Sequence, residues 1–98
     1  METFTVLAEP NRRRLLAVLL DGEQPVSRLV EQTSMSQPVV SKHLRILRES
    51  GLVSVRPEGQ RRLYRLESAP LEDLDSWLEP YRKHWAERLD ALERHLAD

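Results

Sequence analysis

The middle of this 98-residue chain carries side chains that can bind phosphates and the edges of nucleotide bases. Residues 36–66 hold seven Lys and Arg side chains against two acidic ones, a net charge of +5. Residues 1–35 carry a net charge of −1, and residues 67–98 carry −5. A basic segment followed by an acidic tail is typical of a face that binds DNA phosphates, next to a segment that must avoid them.

Two groups of side chains are the predicted contacts with duplex DNA. Gln37 can form paired hydrogen bonds with adenine, while Pro38 and Val39 can contact a thymine methyl group. The first group, which can reach base edges or phosphates from one helix, comprises Ser36, Gln37, Pro38, Val39, Ser41, Lys42, His43 and Arg45. The second group, expected to contact phosphates or an adjacent minor groove, comprises Arg56, Gln60, Arg61 and Arg62.

Four helices are predicted in the first half of the chain, and the fourth carries the first group of predicted DNA contacts. The first spans residues 2–8, the second runs from Pro10 to about residue 21, and Pro25 opens the third. Ser36 is a suitable N-cap for the fourth helix, which Gly51 ends. We expect the fourth helix to bury Val40, Leu44 and Leu47, with its polar side chains, His43 included, off this stripe. Residues 12–14, three consecutive arginines, are interpreted as a solvated helix start rather than as phosphate contacts.

The turn at residues 33–36 joins two of these helices, and this is the layout of a helix-turn-helix. Residues 53–56 and 62–66 alternate apolar and polar, with turn residues at 57–60 between them, which predicts a β-hairpin wing with Tyr64 packed inside it. The predicted fold is therefore mainly α with a small β-hairpin (α+β), a winged helix-turn-helix. We expect one domain, with a DNA-binding core at residues 1–66 and a dimerisation segment at residues 67–98.

The dimerisation segment has apolar side chains at near-heptad spacing from Leu71 to Leu96. Pro80 interrupts the pattern, so we expect a kink or two abutting helices. The aromatic cluster of Trp77, Tyr81 and Trp85 is interpreted as a hydrophobic interface in preference to a small-molecule pocket. The side chains of this segment that are predicted to form a hydrophobic interface with a second copy are Leu74, Leu78, Tyr81, Trp85, Leu89 and Leu92.

Several stretches resemble the ArsR family of bacterial repressors. Residues 9–16 (EPNRRRLL) resemble the start of that family's second helix, and residues 36–47 (SQPVVSKHLRIL) are very similar to its recognition helix. Residues 49–53 and 59–64 match its wing, so the resemblance covers about residues 4–66. It implies an obligate homodimer with the first and last helices at the interface, which adds Phe4 and Leu7 to the predicted interface residues. It also implies an operator near the regulator's own promoter and release by an inducer of unknown identity. Two recognition helices would enter successive major grooves, so we expect the operator to be an imperfect palindrome. No cofactor is expected.

Other kinds of chemistry find little support in the residues. The chain has no cysteine, so it has no thiolate metal site and no thiol redox switch. Zinc could be shared between subunits by His84, His95 and Asp98, but Arg82 stands where the resemblance requires an Asp ligand, and solvated or interface histidines are the preferred interpretation. No enzymatic motif is present. The longest apolar run, residues 15–20, is far shorter than the roughly 20 residues of a membrane span, and no signal peptide is evident, so we expect a cytoplasmic protein. A winged helix that binds a protein instead of DNA is the alternative.

Overall fold

In the computed structural model, which describes residues 2–97, five helices and a small sheet follow one another along the chain. The elements are α1 (Thr3–Leu7), α2 (Pro10–Leu19), β1 (Gln24–Pro25), α3 (Val26–Thr33), α4 (Gln37–Glu49), β2 (Val53–Glu58), β3 (Arg61–Leu66) and α5 (Ala69–Ala97). This order confirms the predicted winged helix-turn-helix fold. The helix-turn-helix is α3–α4, and the wing is the β2–β3 hairpin.

Side chains and prolines at the helix ends explain where the helices begin. The Glu9 carboxylate caps α2 by accepting from the backbone N–H of Asn11 at 3.0 Å, and Pro10 follows in the first turn, where its missing N–H costs nothing. Ser36 caps α4 in the same way, with its Oγ 3.4 Å from the backbone nitrogen of Val39. Gly51, at φ +79°, adopts the left-handed conformation that ends α4.

The hydrophobic core lies between the first four helices and the hairpin. Val40, Leu44 and Leu47 of α4 are buried, which confirms the predicted stripe. They pack in one cluster with apolar side chains of every other element of the core, namely Val6, Leu15, Leu16, Leu19, Leu29, Leu52, Val53 and Tyr64. The position of α4 is therefore fixed by burial of its inner side, which leaves its outer side available for a partner.

The sheet has three antiparallel strands in the order β1–β3–β2. The hairpin is longer than predicted, because Pro57 and Glu58 belong to β2 and only Gly59 and Gln60 form the turn, with Gly59 at φ +60°. Pro57 is tolerated because β2 is an edge strand. The two-residue β1, which pairs with Tyr64 and Leu63 of β3, was not predicted from the sequence.

The last helix is a single element of 29 residues with Pro80 inside it, so of the two expected alternatives, a kink or two abutting helices, the second is not observed. At 1.5 Å per residue it is about 43 Å long. It buries none of its side chains fully, and it extends the molecule to 64 Å in one direction against 25 and 21 Å in the others. The radius of gyration, 17.9 Å, exceeds the value of about 13 Å expected for a compact domain of this size. Most of α5 therefore projects beyond the core.

Candidate nucleic-acid interface

The outer side of α4 presents most of the predicted DNA contacts. Seven of the eight side chains in the first group are exposed, and Arg48 is exposed further along the same helix. The first turn carries Gln37, Pro38 and Val39, with Val39 39% exposed despite its apolar side chain. The exposed amide of Gln37 and the apolar side chains of Pro38 and Val39, all at the start of a helix, suit contact with base edges in a major groove.

His43 is the exception, and its predicted place off the buried stripe is wrong. The residue is only 8% exposed and lies between α4 and the start of α2. Its Nδ1 is 3.4 Å from Nη1 of Arg12, and its Nε2 is 3.6 Å from Oε2 of Glu9. Burial lowers the pKa of His43 below its ordinary value of 6.5, with Arg12 acting in the same direction and Glu9 against it. His43 therefore faces the protein and not a ligand.

Three consecutive arginines of α2 bind the ends of other helices. Arg12 Nε donates to the carbonyl of Val6 at 2.7 Å, and Arg13 Nη1 donates to the carbonyl of Leu7 at 2.6 Å. Arg14 Nη2 donates to the carbonyl of Thr33 at 2.5 Å. These carbonyls end α1 and α3, where a helix has no partners of its own for them. The expectation of a merely solvated helix start is corrected, because these guanidinium groups stabilise the helix junctions.

The arginines of the wing differ in whether they form ion pairs with other residues of the chain. Arg56 forms a two-armed ion pair with Glu23, with nitrogen–oxygen distances of 2.8 and 2.9 Å, and this pair raises the pKa of Arg56 and lowers the pKa of Glu23. Arg61 lies 3.4 Å from Glu58. Arg62 is exposed and makes no ion pair with any residue in 2–97. Arg56 thus anchors the hairpin to the segment before β1, while Arg62 is available to a phosphate.

Three of the side chains that build this interface were missed by sequence reasoning. Glu9 and Arg12 hold His43, and Glu23 holds Arg56. The Glu9-Pro10 pair is a detectable cap signal, since an acidic side chain before a proline can cap a helix. Glu23 had no such signal, because its partner is 33 residues away along the chain.

The predicted dimer residues divide between the core and the surface. Leu7, Leu74 and Leu78 are partly buried within the chain. The other five are exposed to between 46% and 64%: Phe4, Tyr81, Trp85, Leu89 and Leu92. The ring of Phe4 packs edge-on against Trp77 at 5.1 Å, and Trp77 stacks on Tyr81 at 4.8 Å. The structure therefore joins α1 and α5 into one exposed apolar surface.

The residues considered for other chemistry do not form a site in the described chain. His84 and His95 are exposed on α5, Arg82 pairs with Asp75 and Glu79, and Asp98 lies outside the described residues. No group of three or more candidate metal ligands occurs in residues 2–97. Within the same range, no helix has the length and apolar character needed to cross a membrane.

Comparison with known proteins supports the winged-helix interpretation. The family model described as "Bacterial regulatory protein, arsR family" matches residues 9–55, which span α2 to the start of β2. The transcriptional repressor SdpR of Bacillus subtilis is 31% identical over 75 residues, which are 76% of this chain and 83% of SdpR. This chain belongs to the arsR family. The predicted family membership is confirmed.

Two further relatives show how much of this arsR-family chain is similar to known regulators in sequence and in structure. The HTH-type transcriptional regulator Rv2034 of Mycobacterium tuberculosis is 36% identical over 80% of this chain and 73% of its own length. A crystal structure titled "Possible transcriptional regulator for arsenical resistance" aligns over 93% of this chain and 95% of its own, with 38% identity and a TM-score of 0.76. Several other curated relatives are longer, and the chain spans between 57% and 61% of their length. Family members are transcriptional regulators and not enzymes.

Proposed function

We propose that this chain is a transcriptional repressor that binds an imperfect palindrome in duplex DNA as a homodimer. In this proposal α4 enters the major groove and the wing contacts the flanking phosphates. Two copies of α4 would occupy successive major grooves, so the half-sites would be about one helical turn, roughly 10 bp, apart. The role would place the protein in the cytoplasm with the DNA it binds, and repression of its own promoter is the simplest arrangement.

The observation that carries the proposal is the two-sided character of α4. Its inner side packs in the core through Val40, Leu44 and Leu47, which fixes the helix. Its outer side displays Gln37 at the start and exposed cations further along. Readout of bases is favoured by polar groups on a helix that is already fixed in place. If the helix were mobile, the entropy lost in ordering it on binding would reduce the affinity.

The wing contributes affinity without sequence information. Because Arg56 is held by Glu23, the hairpin is anchored to the segment that precedes β1. Arg61 and Arg62 then present guanidinium groups that can replace counterions on the DNA backbone. We leave His43 out of the contact set, and we assign Arg56 to anchoring the wing first and to phosphate contact second.

The apolar surface of α1 and α5 supports the homodimer. Trp85, Leu89 and Leu92 repeat along α5 and remain more than half exposed in a single chain. An apolar stripe of this length on a helix is covered by another helix in a stable soluble protein, and a second copy supplies the same stripe. The acidic tail, which carries a net charge of −5, would then lie on the side of the dimer away from the DNA.

A binding titration with the duplex upstream of the gene tests the proposal at two salt concentrations. We expect specific binding that weakens steeply as salt rises, because counterions are released from the phosphates. Lys42→Ala should weaken binding, and Arg94→Ala, which removes an exposed cation from the far end of α5, is the matched control. Binding without salt dependence, or none at all, would favour the protein-interaction alternative.

A further inference from the structure

His43 is the one buried histidine in residues 2–97, and the proposed DNA contacts do not use it. It lies on the recognition helix α4, two and five residues from the exposed Ser41 and Pro38. Its ring meets the start of α2, where Glu9 caps the helix and Arg12 binds the last turn of α1. The imidazole on α4 therefore contacts the start of α2 and, through Arg12, is linked to α1.

The chemistry of its neighbours defines the protonation state of this ring. Arg12 has only hydrogen-bond donors, so the Nδ1 atom 3.4 Å from its Nη1 must be the acceptor. The ring hydrogen of a neutral imidazole is then on Nε2, which faces Oε2 of Glu9 at 3.6 Å. A second hydrogen, on Nδ1, would point at the Arg12 guanidinium, remove the acceptor and place two cations side by side.

We propose that His43 is a positioning residue which, as a neutral imidazole, holds the recognition helix in place against α2, and that its protonation lowers the affinity for DNA. The proposal rests on the proposed DNA-binding function. Arg12 is restrained from moving away from the ring, because its Nε donates to the carbonyl of Val6 at 2.7 Å. We therefore expect the repulsion to displace His43 and, with it, the helix that carries it.

The charged groups around the ring act in both directions. Glu9 of α2 favours the protonated ring, while Arg12 of α2 and Lys42 of α4 oppose it, and burial opposes it most strongly, so the pKa is lowered. The other elements packed on α4 are α3 and β2, and their charged side chains pair elsewhere: Arg28 with Glu31, and Arg56 with Glu23 and Glu58. Protonation of His43 therefore acts on its contacts with Glu9 and Arg12 at the start of α2.

The same contact gives the proposed dimer surface a route to the recognition helix. Arg12 binds Val6, the buried residue of α1, and Phe4 of the same helix packs on Trp77 of α5. A change at the α1–α5 surface that shifts α1 would move the carbonyl that holds Arg12, and with it the partner of His43. A continuous series of direct contacts therefore runs from α5 through α1 and α2 to α4.

Ring nitrogen NMR on the 15N-labelled full chain tests the protonation state directly. We expect His43 Nδ1 to show the shift of an unprotonated nitrogen at about pH 8 and to titrate with a midpoint below 6.5. His43→Asn assigns the signal. A hydrogen on Nδ1, or a midpoint above 6.5, overturns the proposal, and this result does not depend on whether the protein binds DNA.

Binding titrations test the positioning role with two variants and a control. The Oδ1 of Asn occupies the place of Nδ1 and can accept from Arg12 without titrating, so His43→Asn should bind within about threefold of wild type near pH 8. His43→Leu keeps the apolar volume but offers no acceptor, and we expect about tenfold weaker binding. His95→Asn makes the same chemical change on the exposed part of α5 and should match wild type at every pH.

The pH dependence separates positioning from a merely structural role. Between about pH 8 and about pH 5.5, wild type and His95→Asn should lose at least about threefold more affinity than His43→Asn. Equal losses in all three proteins, or wild-type affinity in His43→Leu, would overturn the proposal. Thermal unfolding of each variant verifies that it is folded. If wild type binds no duplex at any pH, the proposed function fails, and the NMR result still decides the state of His43.

Discussion

Replacement of Arg62 by alanine tests the assignment of the wing to DNA phosphates. The side chain is exposed, lies opposite Pro57 in the hairpin register, and has no ion-pair partner in residues 2–97. Its removal therefore breaks no ion pair or side-chain hydrogen bond within residues 2–97, so we expect a loss of binding to report on the DNA. Because phosphate contacts carry no sequence information, all sequences should be weakened alike.

The size of the effect follows from counterion release. Each phosphate contact makes the slope of log K against log salt concentration steeper by about 0.9. A dimer that loses two contacts, one in each subunit, should therefore have a slope shallower by about 1.8. Extrapolated from 1 M salt, where this contribution vanishes, the difference is about 30-fold in affinity near 0.15 M. Arg61→Ala should lose less affinity at the same salt, because Arg61 must first leave Glu58, 3.4 Å away.

Fluorescence anisotropy with a labelled duplex, over roughly 0.05 to 0.3 M salt, measures both quantities. Arg94→Ala is the matched control, since it removes the same charge from the last turn of α5. An Arg62→Ala protein that keeps the wild-type slope while binding weakly would refute phosphate contact by this residue. A change in the preferred sequence would place Arg62 at base edges instead.

Four further predictions concern α4, the fold and the dimer. Gln37→Ala should relax preference at one base position by about 1–3 kcal/mol in competition with singly substituted duplexes, and equal loss at every position would contradict base readout. Ser36→Ala should lower the free energy of unfolding in urea by about 1 kcal/mol, because the N-cap is lost, and an unchanged value would argue against the cap. As the pH falls below 6.5, the unfolded chain takes up a proton at His43 before the folded chain does, so the free energy of unfolding should fall in wild type more than in His43→Asn. Trp85→Glu should convert a dimer to a monomer in sedimentation velocity, and an unchanged sedimentation coefficient would exclude the α5 stripe as the interface.

The arrangement of α4 could be predicted because its signals are local. Ser36 and Pro38 mark the helix start by their own chemistry, and apolar residues at positions 40, 44 and 47 mark its inner side. His43 shows where this reasoning fails. On a helix it lies only about 60° from Val40, within the buried arc, but its polar side chain assigned it to the surface. The angular position of His43 on the helix would have predicted its burial, whereas its residue type did not.

Contacts with the backbone of distant segments could not be predicted. Arg14 binds the carbonyl of Thr33, 19 residues away, and a carbonyl has no residue type that a sequence pattern can reveal. The strand β1 has only two residues, too few for any alternation to appear, and Pro25 also fits a helix start. α5 continues through Pro80 although the proline cannot donate one of the helical hydrogen bonds, so the proline alone did not locate a helix end.

In the proposed homodimer, the separation of charge and apolar surface along the chain would make DNA affinity depend on dimerisation. One chain offers a single α4 and a single wing, while its last third carries a net charge of −5 that DNA repels. Joining two copies through α5 doubles the cations and turns binding of the second half-site into an intramolecular step, at an effective concentration on the order of mM. Because α5 buries none of its side chains fully within its own chain, the stripe can be disrupted without unfolding the core. Loss of the dimer should therefore weaken binding to a palindrome far more than binding to an isolated half-site.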